Sequence, residues 1–102
     1  MIRHVVLLRF KDETPAAKRA ELEAAFAGLR GQVPGVQALE WGVNASGEGL
    51  DKGFTHCFLV TFASAADRDA YLPHPAHQAF VDRVQPWLAD VLVLDYACTG
   101  GA

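Results

Sequence analysis

Within seven residues of this 102-residue chain lie a phenol and two imidazoles: Tyr71-Leu72-Pro73-His74-Pro75-Ala76-His77. A neutral imidazole titrates near physiological pH and can take a proton from carbon flanked by carbonyls. A phenol can hydrogen-bond the oxyanion that then develops. His74 and His77 are three apart, the same-face spacing of a helix, and that face continues through Val81, Val84 and Leu88. Both imidazoles therefore fall on a stripe that should point inward, where an unpartnered polar group is costly. The bland alternative is a buried, hydrogen-bonded His77–Tyr71 pair that stiffens a helix junction, and His74 beside Pro75 suits a helix cap.

The remaining histidines, His4 and His56, sit in apolar segments. Ile2 to Phe10 reads as a strand with Ile2, His4, Val6, Leu8 and Phe10 on one face. Gly53 to Phe62 is the clearest strand, with Phe54, His56, Phe58, Val60 and Phe62 in register on one face. Thr14-Pro15 has the form of a helix start, followed by the stripe Leu22, Phe26, Leu29, Val33 and by the stop signals Gly31 and Pro34-Gly35. Val36 to Val43 forms a second strand, and Asn44 to Lys52 a polar connection. Ser64-Ala65-Ala66-Asp67 has a capping-box form and starts a short helix that Pro73 and Pro75 end. Pro75 can open the next helix, Pro86 kinks or ends it, and Val91 to Tyr96 is the last strand.

Strand, helix, strand, strand, helix pair, strand is the order of a ferredoxin-like βαββαβ sandwich of the α+β class, with a four-stranded antiparallel sheet. One domain over residues 1–97 with a tail at 98–102 fits this length. On this reading the first and third strands are central, adjacent and parallel, so His4, His56, His74 and His77 converge beneath the helices. Both helical segments cover one face of the sheet. The other face keeps five to eight apolar side chains, and pairing two sheets face to face closes a dimeric α/β barrel.

Composition excludes other classes. Net charge is −3 with Lys and Arg scattered, which gives no footprint for nucleic acid or an anionic membrane. No apolar run approaches the ~20 residues of a membrane span, and the N-terminal apolar stretch is too short for a signal peptide. The cytoplasm is the default compartment. Cys57 and Cys98 form no spaced framework and read as a buried small side chain and a free thiol. His-x-x-His is a weak metal motif, and only Asp82 lies near it; no metal and no cofactor are expected. Asp95 and Tyr96 read as strand-pairing or dimer-edge residues, Trp41 and Trp87 as packing or interface anchors.

Four blocks then carry a family likeness: His4-Val5-Val6-Leu7-Leu8-Arg9-Phe10-Lys11, Glu48-Gly49-Leu50-Asp51-Lys52-Gly53-Phe54-Thr55-His56, Tyr71 to His77, and Asp95-Tyr96. They resemble the stress-responsive A/B barrel (Dabb) family over nearly the whole chain. The resemblance implies a homodimeric α+β barrel. One branch of the family contains plant polyketide cyclases, which fold a linear chain by an intramolecular aldol step. Their catalytic histidine matches His77 and their catalytic tyrosine Tyr71, while pocket histidines match His4, His56 and His74. The expectation is a homodimer whose His/Tyr-lined pocket holds a small apolar or aromatic ligand, with His77 as general base. The alternatives are a non-catalytic stress-response binding protein and a monooxygenase of the related dimeric barrel group.

Overall fold

The computed structural model describes residues 1–99; positions 100–102 of the expected tail lie outside the described residues. The elements are β1 (Ile2–Phe10), α1 (Ala16–Ala27), α2 (Leu29–Gln32), β2 (Val36–Val43), β3 (His56–Phe62), α3 (Ala65–Tyr71), α4 (Pro75–Val84), a 3-10 turn (Gln85–Trp87) and β4 (Leu88–Ala97). They form the expected ferredoxin-like arrangement, a four-stranded sheet in the order β2-β3-β1-β4.

Every pairing in the sheet is antiparallel. This corrects the expectation that β1 and β3 run side by side in the same direction. Their register sets His4 opposite Val60 and Leu8 opposite His56. His4 and His56 thus stand four residues apart along β1, roughly 13 Å at ~3.3 Å per residue. The predicted gathering of all four imidazoles fails for this reason.

Local sequence explains most boundaries. Ser64 caps α3, its hydroxyl accepting from the Asp67 N–H at 3.2 Å. Thr14 does not play that part for α1: Pro15 holds the cap position in extended conformation, and the Thr14 hydroxyl is buried without a hydrogen-bond partner. The apolar stripe crosses a break at Gly28, whose backbone stays right-handed, so Leu22 and Phe26 of α1 and Leu29 of α2 are buried together with Val33. Gly35 turns the chain into β2 with φ +94°, and an added Cβ there would meet the Asp67 Cβ at 3.3 Å, so two constraints favour glycine. Pro86 falls in the 3-10 turn, and β4 starts earlier than predicted, at Leu88.

The helices pack on the face that carries Val6, Leu8, Phe10, Phe58, Val60 and Phe62, all buried. Phe26 stacks on Phe58 with ring centres 4.0 Å apart and planes 3° from parallel, and Phe80 closes on Phe26 at 4.8 Å. On the opposite face, Val5, Leu7 and Leu59 lie in the centre, while Leu92 and Leu94 of β4 are 41% and 60% exposed. Among the described residues no element covers that side. Cys57 lies on it too and is exposed, not buried as expected, because it alternates with His56 and Phe58. Among the described residues no helix is long and apolar enough to cross a membrane.

Candidate functional site

At one end of the sheet, β1, β4, α3 and the start of α4 bring His4, Asp95, Tyr71 and His77 together. His4 and Asp95 are register partners across β1 and β4. The His4 Nδ1 lies 2.7 Å from the Asp95 Oδ1, and the Arg68 Nη1 donates to the other carboxylate oxygen at 3.0 Å. Arg68 reaches Asp69 as well, through Nε at 3.0 Å. Asp95 therefore orients an imidazole that is 5% exposed, the way a carboxylate fixes a ring tautomer. This corrects its expected role as a pairing or edge residue. Its partner is 91 residues away in sequence, so no local pattern could have exposed it.

Tyr71 is the last residue of α3 and is wholly enclosed. Its ring meets His4 edge-on at 6.0 Å, Phe62 at 5.1 Å and His77 at 4.4 Å. Burial drives the Tyr71 pKa up, so the phenol stays protonated and remains a donor. Its hydroxyl has no hydrogen-bond partner among the described residues. A buried polar atom left unpaired costs about 1–3 kcal/mol, so this oxygen marks the place where a ligand atom would be rewarded.

His77 sits in the first turn of α4, half-buried. The Leu72 carbonyl can only accept, so the His77 Nδ1 donates to it at 2.9 Å. That fixes the neutral tautomer with its lone pair on Nε2. Burial lowers the His77 pKa; the Leu72 bond opposes this and the nearby His4 charge adds to it. The ring is thereby kept neutral and able to accept a proton at pH 7.

His74 is the N-cap of α4, its Nδ1 accepting from the Ala76 N–H at 3.1 Å, while Pro75 supplies the first helical residue. That nitrogen is spent on the helix terminus. His56 belongs to the far end of the sheet, bonded to Glu23 and stacked near Trp41 at 6.0 Å. Two open grooves, about 450 and 610 Å³, adjoin His56, and neither reaches Tyr71 or His77. Among the described residues no three His, Cys, Asp or Glu side chains come together as a metal site.

A further feature was invisible to pattern reading. Val91 and Val93 pair with Leu8 and Val6, so they point to the helix side of the sheet. They are nevertheless 48% and 56% exposed, because the helix layer packs over β1, β2 and β3. The result is an uncovered apolar strip that runs along β4 to Asp95 and His4.

This fold and its residues have close counterparts. A stress-response A/B barrel domain protein of Arabidopsis thaliana, HS1, is 38% identical over 98 residues, covering 96% of this chain and 90% of that protein. Olivetolic acid cyclase of Cannabis sativa is 30% identical over 95 residues, covering 93% and 94%. Among solved structures, a hydroxynitrile lyase from Passiflora edulis superposes with a TM-score of 0.91 at 26% identity, over 96% of this chain and 93% of that one. A dimeric ferredoxin-like protein from Jannaschia gives 0.82 at 28%, over 95% and 98%. The family described as Stress responsive A/B Barrel Domain matches residues 2–98. With that match spanning the whole sheet and both helix pairs, the chain belongs to the stress-responsive A/B barrel family.

Proposed function

We propose that this protein is a homodimer, joined through the open sheet face, that binds a small apolar or aromatic carbonyl compound and removes a proton from it. His77 is the general base, acting through Nε2. Tyr71 donates its hydrogen to the oxyanion that forms, and His4, held by Asp95, lines the same end. The exposed Val91 and Val93 strip takes the apolar part of the ligand. The two named enzymes among the relatives, a cyclase and a hydroxynitrile lyase, both have names that describe work for a base and a hydrogen-bond donor. The dimeric description of the Jannaschia protein supports self-association of this chain.

The observation that carries the reading is the pairing of a tautomer-fixed His77 with the unpartnered Tyr71 hydroxyl across 4.4 Å of ring separation. The full enclosure of Tyr71 favours a second reading, a non-catalytic binding protein in which these rings only brace the α3–α4 junction. Turnover separates the two. An aromatic hydroxynitrile and a linear poly-β-keto thioester serve as probes, followed by aldehyde release and by ring closure. Wild-type protein turns over at least one of them, and His77→Ala abolishes this while the dimer stays folded by light scattering. Equal rates in the mutant reject His77 as base, and inertness of the wild type toward both probes favours the binding protein.

A further inference from the structure

A second group of side chains lies at the opposite end of the sheet, where β3 begins. The Thr55 Oγ1 is 2.7 Å from the His56 Nδ1, and the His56 Nε2 is 2.6 Å from the Glu23 Oε2. His56 is buried and Thr55 is exposed. The Thr55 hydroxyl has one proton and two acceptors within reach, His56 at 2.7 Å and the Leu8 carbonyl at 3.4 Å. The Glu23 carboxylate only accepts, so the neutral ring carries its hydrogen on Nε2, and Nδ1 is left to accept from the Thr55 hydroxyl. Hydroxyl, imidazole and carboxylate are then linked in the order that activates a hydroxyl nucleophile.

The surroundings suit a substrate. Thr55 and His56 line both grooves at this end; the smaller runs onto the open sheet face with Leu7, Cys57 and Leu59, the proposed dimer seam, so the larger is the one open to a substrate. The larger, of about 610 Å³, is also lined by Lys11, Arg19 and Asp12. Glu23 is engaged by His56, so two cations face one free carboxylate. That balance favours an anionic group on the ligand.

We propose that Thr55, His56 and Glu23 form a second reactive centre, one that accepts the acyl group of a small ester bearing a carboxylate or phosphate. The Thr55 oxygen forms a bond to the acyl carbon, and its proton passes to the His56 Nδ1. The ester C–O bond breaks, and that proton leaves with the departing alkoxide. Water, deprotonated by the same nitrogen, then bonds to the acyl carbon; the Thr55 oxygen–acyl bond breaks, the proton returns from Nδ1 to that oxygen, and the acid departs. Lys11 and Arg19 hold the anionic end.

The test uses 4-nitrophenyl acetate and the 4-nitrophenyl monoester of succinate on the full chain. The expected result is a burst of 4-nitrophenolate with the acyl group mapped to Thr55 by peptide mass spectrometry. The succinyl ester reacts faster, and Lys11→Ala with Arg19→Ala removes that preference. Thr55→Val eliminates the label, and Glu23→Gln, which keeps the nucleophile, slows acylation by about tenfold or more. Acylation confined to lysines, to His4 or to His77 overturns the proposal. So does an unchanged rate in Thr55→Val or Glu23→Gln, or no burst at all.

Discussion

His4 and Asp95 face one another across β1 and β4, and their side chains close the register contact with a 2.7 Å hydrogen bond. Asp95 is shared with Arg68, so the strand pair and α3 are tied through one carboxylate. Asp95→Asn keeps the shape and removes the charge. The expected result is a loss of about 1–3 kcal/mol of stability, measured by denaturant titration. Lower turnover of any substrate processed at the His77 end should accompany it. An unchanged midpoint would show that the carboxylate is idle.

Tyr71→Phe should separate stability from chemistry. The phenol oxygen is buried and unpaired, so deleting it should leave the melting temperature unchanged or raise it. Loss of an oxyanion donor costs on the order of 10²–10³ in rate. A marked drop in melting temperature would mean that the hydroxyl is partnered in solution, and the assignment of a ligand position there would fail.

The pH dependence of stability carries the signature of His77. Its pKa in the fold lies below the ordinary 6.5, so the unfolded chain binds the extra proton first as pH falls. Stability from this group is complete above pH 6.5 and is lost as the pH drops through the lowered folded value. Tyr71 acts at the other extreme: its raised pKa gives stability that is complete below 10.0 and declines at more alkaline pH. Chemical unfolding across pH 5 to 8 should show a slope that His77→Gln flattens. Identical slopes in mutant and wild type would assign the titration elsewhere.

Leu94 projects from the open face of β4, 60% exposed. If the proposed homodimer closes through this face, Leu94→Lys should yield a monomer without altering the fold, as read by light scattering and circular dichroism. A mutant that stays dimeric at micromolar concentration would place the interface on another surface.

Much of the architecture could be read from the chain because the informative patterns are local. Alternation in β1 and β3 sorted His4, Val6 and Leu8 from Val5 and Leu7, and Ser64 announced α3. Strand direction is not local, and reading β1 and β3 as parallel put His56 at the wrong end. The error is one of geometry: period-two faces survive reversal of a strand, while the position along it does not. Of the candidate groups, Tyr71 and His77 could be picked out because they lie six residues apart, whereas Asp95 and Glu23 could not, because their partners come from distant parts of the chain. Val91 and Val93 were hidden for a different reason. Whether a valine on the inner side of a strand is covered depends on how far the helix layer extends, and neither residue encodes that.

β4 is the last strand of the sheet, and Val91, Leu92, Val93 and Leu94 are exposed on its two sides. Among the described residues one rank of its amide and carbonyl groups has no strand neighbour, so the same stretch is also a template for uncontrolled pairing.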